Sequence, residues 1–123
     1  MTTSQADQDH FVAPIDLDNC IRMFNGDRDI ALELVGDFLR LLDKQKKNIE
    51  EALAGSDPEK LRREAHSIKG AAAVLSAEAM MEAAAALEAI GRSGDLAGGG
   101  EAFLRLEREA GLLNSCYRSF KDR

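Results

Sequence analysis

Apolar residues recur three, four or seven positions apart over most of the stretch between residues 30 and 53, which is the period of one face of an α-helix. Asp27 or Asp29 can cap the start of this helix, and the Gly-Ser-Asp-Pro run at 55–58 ends it. The pattern therefore predicts a long helix that ends near Ala54. Its predicted apolar face is formed by Ile30, Leu34, Val35, Phe38, Leu41, Leu42, Ile49 and Leu53.

The segment before this helix divides into two parts. Residues 1–13 are polar and have no hydrophobic period, so we predict a disordered N-terminal tail. Pro14 and Asp16 then open a short leader helix, with Leu17, Ile21 and Phe24 on its apolar side. A chain of 123 residues has the length of one domain, which we assign to residues 14–123.

Three further helices are predicted after residue 55, each bounded by capping or flexible residues. They run from Pro58 to about Leu75, from Ala77 (with Ser76 as N-cap) to about Ile90, and from Glu101 to about Phe120. Residues 95–100, with three consecutive glycines, are expected to form a loose linker rather than helix. Because short connections make neighbouring helices antiparallel, the sequence predicts an all-α fold. Its expected architecture is an up-down-up-down antiparallel four-helix bundle with a short N-terminal leader helix.

Composition excludes several classes of function. The net charge of −6 argues against nucleic-acid binding, which requires a basic surface. No apolar run approaches the roughly 20 residues that span a bilayer, and the first residues do not resemble a secretion signal. Cys20 and Cys116 are isolated and lack metal-binding spacing. We therefore expect two reduced thiols, no metal site, and a cytoplasmic protein.

The run Ala65-His66-Ser67-Ile68-Lys69-Gly70 lies in the middle of the third long stretch of helical pattern. With about 100° of rotation per residue, His66 is expected on the side away from the core. Gly70 costs about 1 kcal/mol relative to alanine in a helix interior, which indicates that a partner must approach His66 closely. The predicted core face of this helix consists of Leu61, Ala65, Ile68, Ala72 and Leu75.

The charges near His66 favour a nucleophilic role. Arg62, Arg63 and Lys69 all lie within about 60° of it around the helix axis. Cations disfavour protonation of the imidazole and stabilise an anion attached to it. Gly70 and Ala73 leave a flat patch beside the ring. The alternatives are an ordinary surface histidine and, for Arg62 and Arg63, ordinary solubilising charges.

These residues resemble the histidine-containing phosphotransfer (HPt) domain of two-component phosphorelays. The segment from Ala65 to Gly70 is similar to the family pattern A-H-x-L-K-G, and Leu87-Glu88 resembles the family's closing L-E on the next helix. The resemblance extends from about Asp16 to the C-terminus. The chain departs from the family at three positions: Ala71, Val74 and Ser76 stand where a small polar residue, Asn and Gly are common.

The resemblance implies a phosphoryl carrier rather than an enzyme with its own turnover. His66 would accept a phosphoryl group from a receiver-domain aspartate and pass it to another receiver, supported by Lys69, Arg62 and Arg63. The expected partners are response-regulator receiver domains, which would supply Mg²⁺, and a histidine kinase or hybrid kinase. The chain itself would need no cofactor and would be a monomer.

Two finer expectations concern the surroundings of His66. Glu88 could accept a hydrogen bond from Nδ1 of His66 and fix the tautomer, or it could be a plain surface glutamate. Ile15, Leu17 and Ile21 are candidates for an apolar docking surface, although core packing explains them equally well.

Other functions stay open at this stage. The same motif suits the phosphoacceptor HPt domain of a chemotaxis-type or hybrid histidine kinase, but the chain shows no kinase or dimerisation segment. A non-catalytic helical adaptor would make His66 incidental. A metal-binding or haem bundle is set aside, because such bundles use inward-facing Glu-x-x-His pairs and position 63 is an arginine.

Overall fold

The structure is a computed structural model that describes residues 13–122. The tail predicted over residues 1–13 therefore lies outside the described residues, apart from Ala13. The described part of the chain contains five α-helices and no strand, as the all-α prediction requires. They are α1 (Leu17–Met23), α2 (Arg28–Ala54), α3 (Pro58–Val74), α4 (Glu78–Ser93) and α5 (Gly99–Lys121).

Aspartate caps start the first three helices. The carboxylates of Asp16, Asp27 and Asp57 each accept a hydrogen bond of 3.1 Å from the backbone N–H three residues later. Such caps satisfy amides that have no partner within the helix. Between α1 and α2 the chain turns through Asn25 and Gly26, both with positive φ. The predicted cap at Asp16 is thus confirmed, and of the two alternatives for the long helix, Asp27 and Asp29, the cap is Asp27.

The connection between α3 and α4 differs from the prediction that Ser76 caps the fourth helix. Ser76 adopts a left-handed conformation with φ of 62°, and Ala77 takes the N-cap position without a side-chain hydrogen bond. The Ser76 hydroxyl instead accepts a 2.7 Å hydrogen bond from the Asn19 side chain, and its carbonyl accepts one of 3.0 Å from the Asp16 amide. These two bonds tie the start of α1 to this turn.

The predicted linker at 95–100 is wrong at its C-terminal end. Gly98, with φ of +83°, is the N-cap of α5, and the helix begins at Gly99 rather than Glu101. Gly99 is buried, and a Cβ atom there would overlap the side chain of Leu53 on α2. Gly99 thus allows a close approach to the side chain of Leu53, a contact that the flexibility of a glycine run does not predict. Helix α4 also continues past Ile90, to Ser93.

The long helices pack in four neighbouring pairs: α2 with α3, α3 with α4, α4 with α5, and α5 with α2. Along α2 and α3, Glu51 pairs with Lys60 and Gln45 with Ser67, so these two helices run in opposite directions. The largest fully buried side chains include Leu42, Ile49, Leu61, Ile68, Met80, Leu87, Leu106 and Leu113. Short helix α1 packs against α2.

Two predicted core residues of α2 are wrong. Ile30 and Leu41 are 46 % and 52 % exposed, because the buried stripe of the helix is centred on other positions. The residues that replace them on the buried face are Ala31, Leu32, Gln45 and Ala52. The predicted core face of α3 is confirmed, since all five of its residues are at most 4 % exposed.

The two cysteines of the chain are free thiols. Cys20 is buried and Cys116 is half-buried. Burial raises the pKa of the Cys20 thiol, which keeps it protonated and unreactive. Within residues 13–122, no helix has the length and apolar content to cross a membrane.

Candidate functional site

His66 lies at the middle of α3 with its side chain 63 % exposed. Ala65 and Ile68, its neighbours on the same helix, are fully buried, and they fix the rotation of α3 that turns His66 outward. The ring is therefore accessible to another macromolecule, as the helical register predicts.

Glu88 on α4 lies against the imidazole of His66. Its Oε2 atom is 2.7 Å from Nδ1 of the ring, and the residue is only 2 % exposed. Glu88 is thus a buried carboxylate and not the plain surface glutamate of the alternative interpretation. Because a carboxylate only accepts hydrogen bonds, we assign the ring proton to Nδ1, which donates a hydrogen bond to Oε2. In the neutral imidazole, Nε2 is then the ring nitrogen with a free lone pair.

Two cations share the same carboxylate. Lys69 Nζ lies 2.6 Å from Oε1 of Glu88, and the Arg92 guanidinium lies 3.0 Å from Oε2. The hydrogen bond from Lys69 is the largest cause that holds the pKa of the Glu88 carboxyl below its ordinary value of 4.5, and the bond from His66 adds to it. Glu88 is therefore ionised near neutral pH, with two positive charges close to the imidazole.

Arg92 is part of this cluster although the sequence did not single it out. The signal that could have found it is its spacing: Glu88 and Arg92 are four residues apart on one helix, where side chains of opposite charge meet. In the sequence analysis, Arg92 lies just past the predicted end of the fourth helix near Ile90, and no role was predicted for it.

Arg62 and Arg63 are arranged differently from the predicted ring of cations around His66. Arg62 makes two hydrogen bonds to Glu59, of 3.1 and 2.6 Å, and Arg63 lies 3.8 Å from the same carboxylate. Glu59 raises the pKa of Arg62 mainly through these bonds, and the charge of Glu88 contributes as well. Both arginines thus pair with Glu59, and Arg62 also interacts electrostatically with Glu88.

The surface next to His66 is open on one side. A Cβ atom added at Gly70 would meet nothing within 4 Å, so no contact among residues 13–122 requires a glycine at this position. Ala73 is exposed one turn further along α3. These two residues leave room beside the ring.

An apolar depression continues this open surface towards α2 and the end of α1. It is lined mainly by Phe24, Leu34, Phe38, Leu41, Ala71, Val74 and Leu75, with Asp37 at its edge. Leu41 and Val74 are 52 % and 53 % exposed, so this part of the surface presents apolar area to solvent. We name these residues the apolar depression.

The predicted docking residues lie elsewhere. Ile15 is 5 % exposed and belongs to the core, so it is not available to a partner. Leu17 and Ile21 are half-buried, and neither lines the apolar depression. Of the residues predicted on the apolar side of α1, Phe24 is the one that lines it.

Gln45 supports the other side of the site. This residue is 6 % exposed on α2, and its side-chain amide donates a 3.0 Å hydrogen bond to the hydroxyl of Ser67. The bond fixes α2 against α3 at the residue that follows His66. Its signal in the sequence is a polar residue at a core position of α2, three residues after Leu42 and four before Ile49.

The described residues hold no group of three or more His, Cys, Asp or Glu side chains arranged to bind a metal ion. The chemistry that the site itself supplies is an accessible, oriented imidazole beside two cations. Such a ring can attack an electrophile, and the cations can stabilise an anionic group on Nε2.

The comparisons with known proteins agree with this geometry. The Hpt domain family matches residues 33–115, which include His66, Lys69, Gly70 and Glu88. Among solved structures, the chain is similar to the crystal structure of histidine-containing phosphotransfer protein B (HptB) from Pseudomonas aeruginosa PAO1. The TM-score is 0.80 at 21 % identity, over 92 % of this chain and 98 % of that one. No curated protein sequence matches the chain.

At 21 % identity, the likeness to HptB shows a shared fold. The family match carries more, because it spans over half of the 123 residues and contains the whole cluster around His66. A role in histidine phosphotransfer within a phosphorelay follows from this match. The chain is a member of the Hpt domain family.

Proposed function

We propose that His66 is the phosphoacceptor of a carrier that moves phosphoryl groups between receiver domains. Nε2 attacks the phosphorus of an aspartyl phosphate; the N–P bond forms, the P–O bond to the aspartate breaks, and the carboxylate leaves. The reverse step transfers the group to an aspartate of a second receiver. The observation that carries this proposal is the 2.7 Å contact between Nδ1 of the exposed His66 and Glu88.

Lys69 and Arg92 would stabilise the phosphorylated state. A phosphoryl group adds between about one and two negative charges near neutral pH, by analogy with other phosphorylated side chains. Both cations lie within 3.0 Å of the carboxylate that contacts His66, so two positive charges are already close to the ring that would carry the phosphoryl group. Arg62 and Arg63 would support this charge from further away, because Glu59 engages them.

The docking surface would combine the patch beside His66 with the apolar depression. Gly70 and Ala73 give a receiver close access to the ring, and the exposed side chains of Leu41 and Val74 offer apolar area to bury. Full burial of an exposed side chain of this size contributes about 1.5–3 kcal/mol, and roughly half of that is available here because each side chain is only about half exposed. The site itself would orient the nucleophile, and the depression would supply binding energy.

The remaining features of the proposal follow from these separate roles of the site and the apolar depression. The chain acts as a carrier without turnover of its own, needs no cofactor, and uses the Mg²⁺ that the receiver brings. We further propose a cytoplasmic monomer that binds receiver domains and a histidine kinase or hybrid kinase, but not nucleic acid. The opposed directions of α2 and α3, together with the four neighbouring helix pairs, support the up-down-up-down four-helix bundle with its leader helix.

Phosphoryl transfer from a labelled receiver domain tests the proposal. The purified chain is mixed with a receiver that carries a radioactive aspartyl phosphate, and the His66→Gln variant is the matched control. We expect label on the chain that is lost in acid and retained in alkali, and no label on the variant. Acid-stable label, or equal labelling of the variant, would reject His66 as the acceptor. A parallel arm with ATP and a histidine kinase distinguishes a kinase donor from a receiver donor.

A further inference from the structure

The structure assigns a positioning role to Gly91, a residue without a side chain on α4. We propose that Gly91 allows α4 to lie close enough to α3 for the Glu88 carboxylate to reach Nδ1 of His66. This inference rests on the proposed function of His66, because the hydrogen bond that it explains is the one that orients the nucleophile.

Gly91 is buried against the backbone of α3. A Cβ atom at this position would lie 2.7 Å from the amide nitrogen of Arg62 and 2.8 Å from the carbonyl oxygen of Pro58. Both are backbone atoms of a helix, so neither can rotate away as a flexible side chain would. Even a methyl group therefore requires the two helices to separate.

The need for glycine here is steric and not conformational. Gly91 is not among the residues of the described chain that have positive φ, and an L-residue can adopt its backbone conformation. The neighbouring glycine at the end of the helix is different, because Gly94 has φ of +80° and meets nothing within 4 Å of a Cβ atom. Gly91 thus permits close contact between α3 and α4, whereas Gly94 permits the left-handed backbone conformation that ends α4.

The close contact and the hydrogen bond lie next to each other on the same side of α4. Gly91 follows Glu88 by three residues, and side chains three apart in a helix lie on one face. On α3, Arg62 precedes His66 by four residues, which is about one turn. The spacing at Gly91 therefore sets the distance that the Glu88 side chain must bridge.

Separation of the helices would act selectively on the imidazole. Ordinary van der Waals contact at 3.4 Å needs a shift of about 0.7 Å from the 2.7 Å that a Cβ atom would have, and the same shift would lengthen the 2.7 Å contact of Nδ1 to about 3.4 Å, beyond the usual hydrogen-bond range of about 3.2 Å. Arg92 lies on α4 together with Glu88 and would move with it. Lys69 has a long flexible side chain that can follow. The imidazole has two torsions and a Cβ atom fixed on α3, so its contact is lost first.

The test is a double-mutant cycle of Gly91→Ala and Glu88→Ala, read out on His66 itself. ¹⁵N spectra of the ring report the tautomer, and labelled receiver reports the rate of phosphoryl transfer. We expect Gly91→Ala to lower the fraction of rings with the proton on Nδ1 and to slow transfer roughly ten- to hundredfold. In the Glu88→Ala background the same substitution should slow transfer less than about twofold, because the acceptor for Nδ1 is already absent.

Gly111→Ala is the matched control. Gly111 lies within α5, and a Cβ atom there would meet nothing within 4 Å, so this variant should keep the wild-type tautomer and transfer rate. If Gly91→Ala is only partly folded, sucrose restores the native population, and both readouts are taken on that population. A wild-type tautomer in folded Gly91→Ala, or an equal loss of rate in both backgrounds, would overturn the positioning role.

The tautomer also separates this inference from the proposed function. If the wild-type chain accepts no phosphoryl group, the proposed function fails, yet the spectra still show whether Gly91→Ala releases the Nδ1 proton from Glu88. If the wild-type chain is phosphorylated and Gly91→Ala matches it in tautomer and rate, the inference on Gly91 alone fails.

Discussion

The Oε2 atom of Glu88 lies 2.7 Å from Nδ1 of His66, so a buried carboxylate on one helix holds an exposed imidazole on the next. The two residues of the pair lie in different environments, one buried and one exposed to solvent. The protein interior fixes the carboxylate, while solvent and a partner have access to the ring. Lys69 and Arg92 compensate the negative charge that burial would otherwise disfavour.

Replacement of Glu88 should slow phosphoryl transfer in a graded way. Glu88→Gln keeps an oxygen that can accept from Nδ1, but it removes the charge, and we expect a loss of roughly tenfold. Glu88→Ala removes the acceptor as well, and the loss should approach the hundredfold that misplacement of a reacting group causes. Single-turnover transfer from a phosphorylated receiver measures both. Equal rates for wild type and Glu88→Ala would show that the carboxylate does not orient the ring.

The stability of the fold should depend on Glu88 in acid. Its contacts keep the pKa of the folded carboxyl below the ordinary 4.5, so their contribution is fully present above about pH 4.5 and is lost as the pH falls through the folded pKa. The difference in unfolding free energy between wild type and Glu88→Gln should therefore shrink below pH 4.5. Urea unfolding between pH 7 and pH 3 measures it.

The exposed pair of Lys60 and Glu51 provides the comparison for this pH series. The Lys60 hydrogen bond lowers the pKa of Glu51 as well, but exposed ion pairs contribute little to stability and are screened by salt. Glu51→Gln should therefore change the unfolding free energy less than Glu88→Gln at neutral pH. A difference for Glu88→Gln that stays constant across the whole pH range would contradict the assigned contacts.

Gly70→Ala should separate stability from function. A Cβ atom at Gly70 enters open space, and alanine is about 1 kcal/mol better than glycine in a helix interior. We therefore expect a higher unfolding free energy together with slower transfer, because the methyl group lies where a receiver approaches. Gly111→Ala should give a similar gain in stability with an unchanged transfer rate. Faster or equal transfer by Gly70→Ala would argue against close docking at this position.

The apolar depression should contribute to receiver binding and not to the chemical step. Leu41→Ala removes exposed apolar area, and we expect weaker binding by about 1–2 kcal/mol, or roughly five- to thirtyfold in Kd. Leu104→Ala is the matched control, because Leu104 on α5 is 60 % exposed and does not line the depression. Titration calorimetry with a receiver domain measures both. Equal effects of the two variants would place the docking surface elsewhere.

The sequence predicted the helices well where local chemistry determines them. Capping aspartates and the Gly-Ser-Asp-Pro run mark the ends of α2 within one residue, and the register of α3 turns His66 outward. The errors occur where contacts between helices determine the backbone conformation. Gly99 is helical at a position where a Cβ atom would overlap Leu53, and Ser76 takes positive φ at a turn held by Asn19 and Asp16.

The surroundings of His66 were only partly predictable for the same reason. Lys69 and Gly70 share the helix of His66, so their positions follow from register alone. The burial of Glu88 and the pairing of Arg92 depend on the distance between α3 and α4. The spacing of apolar residues along one helix does not predict that distance. Arg62 and Arg63 share the face of His66, but a nearer carboxylate, Glu59, engages both.

The most direct test of the central claim locates the phosphoryl group on the ring. The chain is labelled with ¹⁵N-histidine, phosphorylated by a receiver domain, and studied by NMR for coupling between phosphorus and ring nitrogen. We predict coupling to Nε2 of His66, with Nδ1 still protonated and bonded to Glu88. Coupling to Nδ1, or a phosphoryl group on Ser67 or His10, would contradict the account.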